Sequence, residues 1–145
     1  MKIEILAIGR LKKGAAYDLA SEYQKRIQWP LKIIELEAPS TPDEQKKLLA
    51  AIKPGAFVIA MDETGKSMSS RKLAAQFEKL QNDSAPLMQI LIGGADGLSD
   101  DIRSRANLLL SFGAQTWPHM LARVMLLEQI YRCQQILKNH PYHRD

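Results

Sequence analysis

Cysteine is almost missing from this 145-residue chain: Cys133 stands alone. A single cysteine excludes an internal disulfide and cannot by itself build a thiolate metal site. Its place in an apolar helical run predicts a buried, inert thiol. Long hydrophobic runs are missing as well. No stretch reaches the roughly 18 apolar residues that a membrane span requires, and the opening KIEILAIG is too short and too mixed for a secretory leader. A cytoplasmic protein without a membrane partner is expected. Repeats, low-complexity segments and linkers are also absent, so residues 1–145 are expected to form one domain.

The two common phosphate-binding signatures are incomplete. AMDETGKS carries Ala60 where the first glycine of G-x-x-x-x-G-K-S belongs, and Asp62 and Glu63 would repel a triphosphate. A strand-to-helix turn around Gly65 is expected there instead. GGADGLS carries Ala95 in place of the second glycine of G-x-G-x-x-G, which argues against a dinucleotide site. Two adjacent glycines after a buried strand make a tight turn, or let a flat ligand lie on bare backbone.

Charge is present in modest excess of one sign. Twenty Lys and Arg against sixteen Asp and Glu give a net charge of +4. The surplus lies in residues 1–82, where 14 basic residues face 10 acidic ones. Lysines of that half, such as Lys12, Lys13, Lys25, Lys46 and Lys47, would attract a polyanion without reading its sequence.

Hydrophobic patterning supplies the organisation. KIEILAIG, LKIIELEA, AFVIAMD and LMQILIGG have strand length and are mostly apolar, and helix-period segments separate them. Continuous apolar strands alternating with helices predict an α/β fold with a mostly parallel sheet and helices on both faces. Thr41 before Pro42, and Ser69 or Ser70, are expected to start the second and third helices. A last helix from about His119 to Leu137 is apolar around most of its circumference, with a polar strip of Glu128, Arg132 and Gln135. Such a helix is expected to be covered on two sides, one of them by a second copy of the chain.

In an open parallel sheet, ligands bind beyond the carboxyl ends of the strands. The segments to inspect are therefore DETGKSMSS, GGADGLS and SFGAQTWPH. In the third, Gly113 and Ala114 can present bare backbone to an adenine or a carboxylate, Gln115 and Thr116 add polar groups, and Trp117 serves as core or as a ligand lid.

ILIGGADGLS, TWPHMLARVMLLEQIYR and the closing NHPYHRD occur in that order at suitable spacing. Together with the opening KIEILAIGR they resemble the RlmH family of SPOUT-class RNA methyltransferases along nearly the whole chain. The chain departs from the family pattern at Ala95, Asp96 and Gly97 and at Met120. The resemblance implies a C-terminal deep trefoil knot, a homodimer and S-adenosylmethionine as cofactor, with no metal. It implies methylation of ring nitrogen 3 of a pseudouridine in 23S ribosomal RNA, in the helix 69 region of the large subunit; a small chain without an RNA-binding appendage favours the assembled ribosome over free RNA as the substrate. Cofactor contacts carried over by position are Met61, Gly94, Gly113, Ala114, Gln115, Thr116, Trp117 and Pro118.

The final residues Asn139 to Asp145 would by default be a solvated tail. Under the resemblance the tail folds over a cofactor pocket, its own or a partner's. His143 is then the candidate proton acceptor, Arg144 steadies developing negative charge or grips a phosphate, Tyr142 stacks on the base, and Arg132 reaches the same space. The rival reading from the residues alone is a non-catalytic nucleotide- or RNA-binding α/β module whose tail merely caps the sheet.

Overall fold

The computed structural model describes residues 1–145. Strand β1 spans Lys2–Ile8, helix α1 Ala15–Arg26, β2 Leu31–Leu36, α2 Thr41–Ala51 and β3 Phe57–Ser67. Helix α3 follows at Ser70–Asn82, then β4 Leu87–Ile92, α4 Asp100–Arg105, β5 Leu108–Ser111 and α5 His119–Leu137. The five strands form one sheet in the order β2-β1-β4-β3-β5, and every pair is parallel.

The period-two alternation of strands divides the core between two faces. Ile3, Ile5 and Ala7 of β1 join Ile90 of β4 and Phe77, Leu127 and Ile130 on the side covered by α1, α3 and α5. Leu6 and Ile8, one residue out of step, pack with Leu48, Leu91 and Ile102 under α2 and α4. Helices therefore cover both faces, as the patterning predicts. Each such aliphatic side chain withdrawn from water contributes roughly 1.5–3 kcal/mol. Cys133 is fully buried in the first cluster, and burial pushes its thiol up to about 12.

Two local expectations are corrected. Helix α2 is capped by Ser40 rather than Thr41: Ser40 is extended and its hydroxyl accepts the Asp43 N–H at 3.3 Å. Thr41 is already helical, which frees its own hydroxyl to donate to Asp96 at 2.7 Å. The segment around Gly65 does not turn. Strand β3 continues to Ser67 and pairs with β5 twice, through Met61 opposite Leu110 and then, past an irregularity, through Lys66 opposite the same residue. Gly65 permits this, because a Cβ there would lie 2.6 Å from the backbone carbon of Leu109. No helix is long and apolar enough to cross a membrane.

Candidate active site

Beyond the carboxyl ends of β3, β4 and β5 the chain encloses a cleft of about 720 Å³. Its walls are the end of β3, the turn after β4 and the segment from β5 into the first turn of α5.

The turn after β4 is closed on itself. Gly97 N–H donates to Gly94 O at 3.0 Å, and a Cβ on Gly93 would fall 2.6 Å from Gly97 O. Only glycine fits that approach. Helix α2 holds the turn from outside: Gln45 Nε2 donates to Gly97 O at 3.1 Å while its Oε1 accepts from Ser99 N–H at 2.9 Å. This two-ended grip fixes bare backbone at the cleft wall.

The segment after β5 is tied down by Ser111. Its Oγ accepts from Gly113 N–H at 3.0 Å and lies 3.2 Å from Glu63 O, which links the β5 end to the β3 end. Trp117 Nε1–H donates to Phe112 O at 3.3 Å, so the ring stands at the cleft rim, 39% exposed. Trp117 is thus neither core nor free in solvent.

One ion pair lies in the cleft wall. Arg103 Nε donates to Asp62 Oδ2 at 2.5 Å, and Asp62 Oδ1 accepts from the Thr64 hydroxyl and backbone N–H. Burial would raise the Asp62 carboxyl, but the Thr64 and Arg103 hydrogen bonds outweigh it and hold the group below the usual carboxylate range. The arginine is held further in its charged form by the same contact.

Met61, Gly94, Gly113, Gln115, Thr116, Trp117 and Pro118 all line this one cleft. Ala114, between two lining residues, does not. Sequence reasoning passed over Arg103 and His119, which also line it, and Gln45 and Ser111, which shape it.

The tail is docked, not solvated. Tyr142 OH donates to Glu128 Oε1 at 3.0 Å, and its ring meets Tyr131 edge-on at 4.8 Å with the Arg132 guanidinium 4.9 Å from its centre. Burial first, then contacts with Tyr23 and Glu128, push the Tyr142 phenol well above its ordinary value, so it remains a donor. His143 lies between Arg132 Nη1, 3.1 Å from Nδ1, and Asp145 Oδ1, 2.9 Å from Nε2. Asp145 also accepts from Arg71 of α3 at 2.7 Å. Arg144 is exposed next to these groups.

Candidate catalytic and cofactor residues thus form two groups. The cleft reaches His119 and Ala122, whereas the tail docks on Glu128 and Arg132 of the same helix. At 1.5 Å per residue, His119 and Arg132 are about 20 Å apart along the axis. Of the two arrangements expected for the tail, over its own cleft or over a partner's, a single chain does not form the first: packing on Tyr131 and Glu128 holds the tail farther along α5.

A family model described as "Predicted SPOUT methyltransferase" matches residues 1–143. The chain belongs to the SPOUT methyltransferase family. Among its relatives is a Ribosomal RNA large subunit methyltransferase H of Rhodospirillum centenum, 46% identical over 151 residues covering 99% of each chain. Solved structures agree in fold. A protein of Bordetella pertussis described as a methyltransferase superposes with a TM-score of 0.61 at 13% identity, covering 91% of this chain and 95% of its own. A Legionella pneumophila methyltransferase, solved with the cofactor SAM, gives 0.50 at 11% identity, covering 91% of this chain and 69% of its own. For this SPOUT methyltransferase, the sheet edge that patterning singled out is the edge where the cleft opens.

Proposed function

We propose that this SPOUT methyltransferase transfers a methyl group from S-adenosylmethionine to ring nitrogen 3 of a pseudouridine in 23S ribosomal RNA, in the cytoplasm and on the assembled large subunit. The observation that carries the reading is the convergence of the three strand-end segments on one cleft walled by glycine backbone. The printed name of the Rhodospirillum relative supports the RNA substrate class.

The cleft suits the cofactor. Bare backbone at Gly93, Gly94 and Gly113 lets an adenosine lie close, Trp117 can cover it, and Glu63 and Asp96 offer negative charge to a cationic end. When bound, the cofactor supplies an electrophilic methyl on a sulfonium. The knotted path of the C-terminal segment belongs to the same proposal, since threading would hold 93–98 and 112–118 together.

The tail supplies the proton chemistry. A guanidinium only donates, so His143 Nδ1 accepts from Arg132 and its proton resides on Nε2, facing Asp145. His143 Nδ1 is then the lone pair that takes the imide proton once substrate displaces Arg132 from it. Arg132, still charged, stabilises the negative charge that develops on the ring. Arg144 grips an adjacent phosphate and the Tyr142 ring stacks on the base. Because the tail and the cleft of one chain lie apart, each cleft receives its tail from a partner, and the active form is a homodimer. Exposed Leu19, Leu121 and Tyr17 on α1 and α5 offer the apolar contact.

Calorimetry with S-adenosylmethionine, followed by methyl transfer to large subunits lacking the modification, tests the proposal. Uptake of cofactor and incorporation at a single pseudouridine are expected. Lack of cofactor binding would instead mark a non-catalytic RNA-binding module.

A further inference from the structure

The turn between β1 and α1, residues 9–14, carries Arg10, Lys12 and Lys13, all exposed. None of the three is paired with a carboxylate. The turn sits against the cleft rim: a Cβ on Gly9 would lie 3.7 Å from Nε2 of His119, which lines the cleft, and 3.3 Å from Cε of Met120.

Buried charge fixes the turn in place. Arg123 of α5, 2% exposed, donates through Nη2 to Gly9 O at 3.0 Å and through Nη1 to Glu35 of β2. The same Glu35 oxygen accepts from Leu11 N–H at 2.6 Å. An arginine taken out of water beside a single carboxylate is a strong anchor, because removing Glu35 would leave the Arg123 guanidinium buried without its counter-charge. The residues on either side of Arg10 are thus tied to the α5–β2 core, and Lys12 and Lys13 follow directly, exposed.

The cleft itself is poorly suited to phosphate. Asp62, Glu63 and Asp96 line it, and its arginine, Arg103, is already bound to Asp62 and Asp100. A target base can enter only if the phosphates flanking it are held outside.

We infer that the β1–α1 turn, through Arg10, Lys12 and Lys13, grips the phosphate backbone of the RNA beside the cleft. The inference rests on the reading of the cleft as a methyltransferase site and specifies where its polyanionic substrate is held. Lys25 and Lys79 provide the control: they sit in the last turns of α1 and α3, at the opposite end of the parallel strands from the cleft.

The experiment compares two charge-matched double variants, Lys12→Ala with Lys13→Ala, and Lys25→Ala with Lys79→Ala. Methylation kinetics on large subunits and binding to a protein-free RNA spanning the target are measured from 50 to 200 mM salt. The turn variant should raise KM for the subunit by about fivefold or more and flatten the log-affinity against log-salt slope by about 2. Its kcat and cofactor affinity should stay at wild-type values, and the distal variant should change KM by less than about twofold. Equal effects from both variants, or none from the turn, overturn the inference. So does a turn variant that binds protein-free RNA normally and loses affinity only for whole subunits, since the contact is then to an acidic protein. If wild-type enzyme binds cofactor but transfers no methyl, the proposed reaction fails, and the RNA-binding slopes still decide the fate of the turn.

Discussion

Arg132 Nη1 on α5 stands 3.1 Å from His143 Nδ1 in the segment that folds back on that helix. In this contact Nδ1 can only be the acceptor, since a guanidinium has no lone pair to offer. His143→Ala should lower single-turnover methylation by more than tenfold, with cofactor affinity unchanged. A smaller loss would mean that alignment of nitrogen, methyl carbon and sulfur supplies the rate without a base.

Gly93→Ala should abolish cofactor binding at concentrations that saturate the wild type. The added methyl would meet Gly97 O, a backbone atom that cannot swing aside, so the turn must open. Calorimetry reads the result directly. Unchanged affinity would show that the turn does not touch the cofactor.

Asp62→Asn tests the ion pair in the cleft wall. The folded-state carboxyl lies below its ordinary 3.8, so its stabilising contribution is present above that pH and fades as pH falls through the lowered value. Arg103 is 36% exposed, which weakens the pair relative to a dry one. At neutral pH the substitution should cost about 1–2 kcal/mol in urea unfolding. That gap should narrow as pH falls below 3.8; a gap that stays constant with pH would assign the cost to packing.

Cys133 should resist alkylation at pH 8 in the native protein and react at once in denaturant. Its thiol, raised to about 12 by burial, has almost no thiolate to offer. Rapid native labelling followed by mass spectrometry would show that α5 opens.

Patterning made the sheet and its helices legible because apolar strands and 3.6-residue periods are local signals. It misread Gly65 as a turn because what keeps that segment extended is the close passage of Leu109, more than forty residues away in sequence. The cleft's backbone-lined wall was legible through its glycines at the strand ends, while its particular contacts came only through resemblance, as bare N–H and C=O groups leave no side-chain signature. Arg103 escaped notice because its partner Asp62 lies 41 positions away. Arg123 was hidden by its apolar neighbours, which make a buried cation look like a gap in a core face. The docking of the tail short of its own cleft is set by Tyr131 and Glu128, and no periodicity encodes that reach.

The two outer strands have a bearing on how copies of the chain can meet. Strand β2 carries Lys32 and Glu35 among apolar residues along one margin, and β5 offers four residues along the other. Charge on one border and brevity on the other discourage a neighbour from extending the sheet into a ribbon. Self-association is thereby steered onto helical surfaces, where a closed pair can form without seeding a polymer.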